Sequence, residues 1–264
     1  MAMIKEVGVL AIAAFIAIAV IVSIYLVKRG TLKMEIRRIA ALDAIDMAIG
    51  RATEMGRPVH FTHGTAGGLY AGLAQGEAGA QIVAAMGVLS YVSELCAKFN
   101  VQLICTICHA ETMPLYTDTI QLGFLKGGRP QLWNSDIVRF ISPYQFAFTA
   151  GAMATISREK PAANFLVGPL YAESLLLAEV GYNVGAIQIS GSAYTHQLPF
   201  LVAACDYTLI GEELYAAGVY LSKNPVLLGS IGAQDLTKIL VMIFIGAASV
   251  LLTMGVNVIK IMGG

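Results

Sequence analysis

Two long stretches without a charged residue lie near the two ends of the chain. Residues 7–27 read VGVLAIAAFIAIAVIVSIYLV, and residues 239–259 read ILVMIFIGAASVLLTMGVNVI. An α-helix rises about 1.5 Å per residue, so about 20 apolar residues cross the hydrocarbon core of a bilayer. The pattern predicts a transmembrane helix in each stretch. A signal peptide is the alternative for the first, although its apolar run is long for one, and a buried core helix is the alternative for the second.

Between these stretches, short apolar runs alternate with longer helical patterns. The runs lie at 58–62, 101–107, 136–141, 164–168, 185–190 and 207–211, and the helical patterns at 77–99, 111–126, 143–159, 170–182, 195–205 and 212–222. Strands separated by helices of this length are typical of βαβ units, and nearly continuous apolar strands are typical of sheets covered on both faces. The alternation predicts an α/β domain with a Rossmann-like, doubly wound, mostly parallel sheet.

An amphipathic helix is predicted between the first apolar stretch and the sheet, over about 30–55. Its apolar stripe comprises Ile36, Ile39, Ala40, Ile45, Met47 and Ile49. Packing on protein is favoured over packing on the lipid surface. The predicted organisation is an N-terminal transmembrane helix (1–29), a connecting helix (30–56), the α/β domain (57–236) and a C-terminal transmembrane helix (237–264).

The basic residues near the two predicted spans are distributed unequally. Five of them follow the first span closely (Lys28, Arg29, Lys33, Arg37 and Arg38), whereas Lys5 and Lys260 flank the spans on the other side. Basic residues near a span favour the cytoplasmic side. We therefore expect a two-pass protein of the cell membrane, with the α/β domain in the cytoplasm and both termini outside.

The composition supports this location. The chain has 57% hydrophobic and 13% charged residues, whereas ordinary soluble domains have about 45–50% and about 25%. Its formal net charge is zero, which implies no nucleic-acid partner. Four cysteines in a cytoplasmic domain argue against a disulfide framework.

Polar residues collect where the predicted strands end, which is the edge where parallel sheets bind ligands. All four histidines (His60, His63, His109 and His196) lie at or just before such an end. The candidate ligand-binding residues are His63, Gly64, Thr65, Gly67 and Gly68 after the first strand, His109 and Glu111 after the second, Ser190, Ser192 and His196 after the fifth, and Glu212 after the sixth.

Backbone amides of the glycine-rich segment 63–68, HGTAGG, can cradle an anion. The segment matches neither G-x-G-x-x-G nor a Walker A loop, and a βα loop that needs glycine for tight turns is the alternative. Segment 190–192 is a weaker candidate, with helix N-capping as its alternative. For Glu212 the alternative is a favourable interaction with a helix dipole, and 211–218 is also a candidate for close helix packing.

The segment 105–109, CTICH, matches the attachment signature of a c-type haem. Cys105 falls inside a predicted buried strand, and the predicted topology places the motif on the cytoplasmic side. Small buried cysteines are therefore the favoured interpretation. A metal site built from Cys108 and the neighbouring histidines, and acid–base chemistry by Glu111, Glu173, Glu212, Glu213 and the histidines, remain open.

Several segments resemble a known family. They are GRPVHF (56–61), AE (178–179) with GAIQI (185–189), QLPF (197–200) and CDYTLIGEELYAA (205–217). They resemble a family of uncharacterised membrane proteins with a domain of unknown function, found in archaea and Chloroflexi-type bacteria, over most of 30–238 and the second span. The resemblance implies a prokaryotic membrane protein with one α/β domain, and it implies no activity and no catalytic residue.

The sequence thus predicts a membrane-anchored, homo-oligomeric protein whose cytoplasmic domain binds a small anionic ligand such as a nucleotide. Two spans per subunit are too few to form a pore within one chain, and closed homo-oligomers are the common outcome for such subunits. The alternatives are a membrane-bound enzyme that uses the strand-end His and Glu residues, with or without a metal, and a multi-subunit pore.

Overall fold

A computed structural model of the chain describes residues 37–67, 77–222 and 225–254, together with single positions between 17 and 29. The chain divides into two compact units. One is Arg37–Ser222, and the other combines the residues before 37 with those after 222. The first unit therefore includes the connecting helix and ends before residue 236, where the predicted domain ends.

The unit Arg37–Ser222 is built on a parallel sheet of six strands in the order β3-β2-β1-β4-β5-β6. The strands are β1 (Val59–Thr62), β2 (Leu103–Ile107), β3 (Val138–Phe140), β4 (Ala163–Val167), β5 (Ile187–Ser192) and β6 (Tyr207–Ile210). Each strand lies at one of the six predicted runs, and all neighbouring pairs are parallel. The predicted Rossmann-like sheet is confirmed, and its order is the doubly wound one.

Helices cover this sheet in two groups. The first group comprises α1 (Ala40–Met55), α2 (Glu77–Phe99), α3 (Met113–Lys126) and α7 (Glu212–Ser222), with α2 in contact with the other three. The second comprises α4 (Gln145–Glu159), α5 (Glu173–Asn183) and α6 (Leu198–Ala204), which pack in a row. Right-handed crossovers between parallel strands place the two groups on opposite faces of the sheet.

Helix α2 is the most apolar helix of this domain. In the described part of the chain, one segment has the length and apolarity to cross a membrane, Ala78–Phe99, and 56% of its most apolar window is buried. It packs on its neighbours through small residues. A Cβ at Gly87 would lie 2.8 Å from the Cα of Gly218 on α7, and a Cβ at Gly123 on α3 would overlap Ser93 Oγ. The close helix contact considered for 211–218 is therefore present, and α2 is explained as a core helix.

Helix α1 buries a different stripe from the predicted one. Its buried residues are Ala41, Leu42, Ala44, Ile45, Ala48, Ile49 and Ala52. Met47 is half exposed and Ala40 is exposed, so both were wrongly placed in the stripe, whereas Ile36 lies outside the described residues. The helix contacts α2, β5 and β6, which is the packing on protein that the pattern favoured.

A row of buried polar side chains crosses four strands of the sheet. Gln188 on β5 donates to the carbonyl oxygens of Ala178 (2.8 Å) and Ala204 (3.1 Å), which can only accept. Its Oε1 therefore accepts from Asn164 on β4, whose Oδ1 in turn accepts from His60 Nδ1 on β1 (2.7 Å). His60 Nε2 then accepts from the hydroxyl of Thr106 (2.9 Å).

His60 therefore belongs to the interior of the sheet and not to a strand end. It is fully paired, and burial lowers its pKa to about 4, so it is neutral at pH 7. We name this set of side chains, Thr106, His60, Asn164 and Gln188, the polar row.

The second apolar stretch lies largely in a separate helix, α8 (Pro225–Thr253). The helix begins at Pro225, and proline is common at the first helical position. At about 1.5 Å per residue its 29 residues extend about 43 Å. Its described apolar side chains are exposed, including Val241, Met242, Ile243, Ile245 and Val250. Residues 255–264 and nearly all of 7–27 lie outside the described residues, so the two transmembrane helices stay predictions.

Candidate functional site

The carboxyl ends of β1 and β4 lie side by side at the centre of the sheet. The chain leaves β1 toward β2 and leaves β4 toward β5, so the loops after β1 and β4 lie at the switch point of the sheet, where doubly wound proteins have their ligand crevice. We name this place the crevice. Two glycines allow these loops to touch. Gly168 has φ +144°, and a Cβ there would lie 2.6 Å from the carbonyl oxygen of His63. Gly64 has φ +87°, and Ala66 N–H donates to Pro169 O (3.0 Å).

The carboxylate of Glu173 links the residues that follow β1 and β4. Glu173 is 1% exposed, and its Oε1 accepts from the backbone N–H groups of Thr65 (2.8 Å) and Tyr171 (3.0 Å). Its Oε2 accepts from the side chain of Gln145 (2.8 Å). Three donors are what a buried carboxylate without a cation partner requires. The glycine-rich loop therefore already holds one anionic group, which comes from the protein itself.

His63 follows β1 and is fully buried. Its Nδ1 is 2.6 Å from the hydroxyl of Tyr116. If Tyr116 donates its hydroxyl hydrogen to Nδ1, the hydrogen of the neutral imidazole is on Nε2. Burial, with a smaller contribution from His109, lowers the pKa of His63 to about 3. The ring is therefore neutral at pH 7, and its buried Nε2, which is a donor when Tyr116 donates to Nδ1, has no hydrogen-bond partner.

Gln81 on α2 contributes a second donor of this kind. Its Oε1 accepts from Ala193 N–H (2.9 Å) and from the Ser192 hydroxyl (3.3 Å), just beyond β5. The Ala193 contact fixes the orientation of the amide, since a backbone N–H only donates. The side-chain NH₂ of Gln81 is then left without an acceptor.

Buried polar atoms without a partner are concentrated at this edge of the sheet. Among the described residues they are His63 Nε2, Thr65 Oγ1 and Gln81 Nε2. The great majority of buried polar side-chain atoms in proteins are hydrogen-bonded, so each exception calls for an explanation such as a bound molecule. Gln81 Nε2 is a donor that lacks an acceptor, and His63 Nε2 is a second one when Tyr116 donates to Nδ1. Such donors complement a ligand rich in oxygen acceptors.

His109 and Glu111 lie at the rim of the same crevice. The Nε2 of His109 is 3.3 Å from Thr65 O, and its ring centroid is 6.3 Å from that of His63. Glu111 Oε1 is 4.0 Å from His109 Nδ1. Within the ranges that the structure describes, no three His, Cys, Asp or Glu side chains are grouped closely enough to hold a metal ion. The described arrangement therefore gives no support to the metal alternative.

Three aromatic rings form a cluster between the ends of β4 and β5. The ring centroids of Tyr171 and Tyr194 are 5.7 Å apart with an interplanar angle of 8°. His196 lies 5.3 Å from Tyr194 and 6.1 Å from Tyr171, tilted by 25° and 31°. We name these residues the aromatic cluster. Tyr171 is 38% exposed and His196 is exposed, so the cluster is open to solvent.

Other predicted site residues are placed differently. Strand β5 extends to Ser192, so Ser190 lies within the sheet and bonds Thr208 on β6 (2.9 Å). The N-capping alternative for 190–192 is wrong, because α6 begins only at Leu198. Glu212 is exposed in the first turn of α7, beyond the edge strand β6, as the dipole alternative proposed. Gly67 has φ +72°, and Gly68 lies outside the described residues.

The motif CTICH does not form a cofactor site in this fold. Cys105 lies in β2, Cys108 follows it, and both side chains are fully buried. Burial raises the pKa of the Cys105 thiol well above its ordinary value, and burial with nearby Glu173 and Glu111 raises the pKa of Cys108 to about 12. Neither sulfur is accessible to a porphyrin, which agrees with the preference for buried cysteines.

Two residues of the crevice were missed by the sequence analysis. Tyr116 and Gln81 lie inside helices rather than at strand ends, and both are fully buried. Glu173 was named only for acid–base chemistry, as a residue just after β4. A polar residue on the buried stripe of an otherwise apolar helix was the signal available for Gln81.

Cavities also occur at the opposite, amino-terminal edge of the sheet. One of about 400 Å³ is lined by Asn100, Gln102, Asp136 and Arg139, among others. Parallel sheets bind ligands at the carboxyl edge, and the unpaired buried atoms lie there too. We therefore assign the candidate site to the crevice.

The strand order defines the class of protein as a Rossmann-like α/β protein, and the candidate site lies at the switch point of its sheet. The chain belongs to a family described as a domain of unknown function, DUF6754, whose profile matches residues 2–262. No curated protein and no solved structure matches the chain. The function is therefore argued from the site itself.

Proposed function

We propose that this protein is a membrane-anchored, self-associating protein whose α/β domain binds a small anionic ligand in the crevice between β1 and β4. The observation that carries the proposal is the pair of buried nitrogens without partners, His63 Nε2 and Gln81 Nε2, which are both donors when Tyr116 donates to His63 Nδ1. A phosphate or carboxylate offers several acceptor oxygens to such donors. A nucleotide is one ligand of this class.

The charge of the crevice limits which anion is bound. In the described part of the chain, the polar contacts of His63, Thr65, His109 and Glu173 include no lysine or arginine. Glu173 adds a buried negative charge. We therefore propose recognition by neutral donors, with modest affinity, in place of the tight ionic binding of a Walker A loop.

Membrane attachment is supported by the exposed apolar side chains of α8 and by the predicted span 7–27. Large contiguous apolar surfaces are rare on soluble monomers, and lipid is the environment that fits a helix of this composition. The basic residues 28–38 place the domain in the cytoplasm in this proposal. Archaeal or bacterial origin, which the resemblance implied, belongs to the same proposal.

Self-association is supported by aromatic side chains on the outside of the domain. Tyr144 and Phe146, at the beginning of α4, are each 76% exposed. Aromatic residues are enriched in protein–protein interfaces, and homo-oligomers with closed symmetry are the common form of assembly.

A variant that adds a negative charge tests the ligand site. Gln81→Glu keeps the acceptor for Ala193 N–H but replaces the unpaired donor by a carboxylate oxygen. Gln121→Glu on the exposed side of α3 is the matched control. We expect the full-length protein in detergent to bind pyrophosphate or ribose 5-phosphate by calorimetry, and Gln81→Glu alone to lose at least tenfold in affinity. Equal affinities in both variants, with both folded by circular dichroism, would contradict the site.

A native mass spectrum of the detergent-extracted protein tests the assembly. A multiple of the 27.9 kDa subunit is expected, and a discrete extra mass per subunit would identify a co-purified ligand. A monomer without extra mass would overturn the self-associating part of the proposal.

A membrane-bound enzyme is the second candidate, because the residues after β1 include the His63–Tyr116 pair and Thr65, whose N–H donates to Glu173. Under this alternative, replacing His63 or His109 abolishes turnover and leaves assembly intact. The pore alternative needs polar side chains inside the predicted spans, and the sequence offers Ser23, Ser249, Thr253 and Asn257. Ser23 and Asn257 lie outside the described residues. The hydroxyl of Thr253 donates to Val250 O of its own helix (2.7 Å), so the described structure offers it no support.

A further inference from the structure

Two short hydrogen-bond paths connect the aromatic cluster to Thr65 and Gln81, two of the residues that have a buried polar atom without a partner. Tyr171 N–H and Thr65 N–H donate to the same carboxylate oxygen of Glu173. On the other side, Tyr194 N–H donates to Ser192 Oγ (3.2 Å), and that hydroxyl donates to Gln81 Oε1. The backbone N–H of each tyrosine therefore bonds a side chain that also bonds a residue with an unpaired buried atom. That residue is Thr65 for Tyr171 and Gln81 for Tyr194.

The rings of the cluster have a common orientation. The planes of Tyr171, Tyr194 and His196 lie within 31° of one another, although the residues follow two different strands. Because Tyr171 and His196 are exposed in part, some of the ring surface of the aromatic cluster is open to solvent. Nearly parallel aromatic faces that are open to solvent stack well on a flat heterocycle, since such a ring offers a π-face whatever its substituents.

We infer that the aromatic cluster is the subsite for a planar heterocycle, so that the ligand of the crevice is a nucleoside phosphate. Its phosphate takes the donors of His63 and Gln81, and its base stacks on Tyr171 and Tyr194. This inference rests on the proposed anion site, and it adds the part of the ligand that the anion site leaves undefined. Sequence-tolerant stacking implies little preference between bases.

The test compares ligands with and without a base. Binding of AMP, GMP, CMP, UMP and ribose 5-phosphate to the full-length protein in detergent is measured by calorimetry. Base stacking on aromatic side chains is worth roughly a 5- to 100-fold change in affinity. We expect at least one nucleoside monophosphate to bind more tightly than ribose 5-phosphate by a factor in this range.

Substitution of the two tyrosines then locates the effect. In Tyr171→Leu/Tyr194→Leu, the advantage of the nucleotide over ribose 5-phosphate should disappear, while the affinity for ribose 5-phosphate stays the same. Tyr182→Leu is the matched control, because Tyr182 on α5 is 77% exposed and outside the cluster. Thermal melting of each variant checks that the domain is folded.

The outcomes separate the inference from the proposal beneath it. Equal affinities for nucleotides and ribose 5-phosphate, or an advantage that survives the double substitution, would overturn the ring subsite. Gln81→Glu reports on the anion site, and it should weaken ribose 5-phosphate and nucleotides alike. Failure of every probe to bind the wild-type protein would overturn both.

Discussion

Gly181 on α5 provides the sharpest test of how the domain is packed. A Cβ at this position would overlap Gln188 Oε1 and lie 2.7 Å from Asn164 Nδ2, so the substitution Gly181→Ala reaches the polar row directly. Gly50 in the interior of α1 is a matched control, since a Cβ there meets no atom within 4 Å.

The expected loss follows from three contributions. Overpacking costs about 1–3 kcal/mol, and a buried polar group that loses its partner costs about 1–3 kcal/mol. Alanine regains about 1 kcal/mol over glycine in a helix. Gly181→Ala should therefore lower the free energy of unfolding by about 1–5 kcal/mol, while Gly50→Ala should raise it by up to about 1 kcal/mol.

The assay is thermal unfolding of the full-length protein in detergent, followed by tryptophan fluorescence. The chain has one tryptophan, Trp133, and it lies in the same unit as the polar row. For a unit of this size, 1 kcal/mol corresponds to about 2–4 °C, so a decrease of about 2–20 °C in Tm is expected for Gly181→Ala. An unchanged or higher Tm would show that the polar row is not packed as described.

Three further predictions follow from the packing and burial of other residues. Gly87→Ala should lower Tm, because the added Cβ would lie 2.8 Å from Gly218 Cα. Gly218→Ala should be tolerated, because the Cβ added there would lie 3.6 Å from its nearest neighbour, Gly87 Cα. Equal effects of the two substitutions in melting experiments would refute this prediction. His60 and His63 stay neutral in the native state, with pKa values of about 4 and about 3, while in the unfolded chain they take up protons below about pH 6.5. Stability should therefore fall as pH decreases from about 6.5, by about 2 kcal/mol per histidine at pH 5, and a flat profile between pH 7 and 5 in urea unfolding would contradict it. Cys105 should resist iodoacetamide in the native protein and react in denaturant, as peptide mass spectrometry would show; native labelling would mean that β2 is exposed.

Local pattern was enough to predict most of the domain. The helical pattern at 77–99 coincides with α2, and each apolar run coincides with a strand to within a few residues. The hydrophobic period and the length of each apolar run distinguish helices from strands, because each element must bury its own apolar face. Element ends were less accurate, as Ser190 shows, since a strand continues for as long as a neighbour pairs with it.

The candidate site was predicted in part, for a related reason. His63, Gly64, Thr65 and His109 follow predicted strands, and parallel strands bring their carboxyl ends to one edge. The sequence could not show that Glu173 bonds the Thr65 amide, because the two residues meet only once β4 is placed beside β1.

The sequence by itself determined that the chain forms a parallel α/β domain, carries two long apolar stretches and has polar residues at its strand ends. These properties depend on neighbours along the chain. Tertiary structure alone decided that His60 is a core residue paired across the sheet, and that His63 and Gln81 retain buried nitrogens without partners. Hydrogen bonding and desolvation depend on atoms that are distant in sequence, so the same residue type becomes a core contact at position 60 and a candidate ligand contact at position 63.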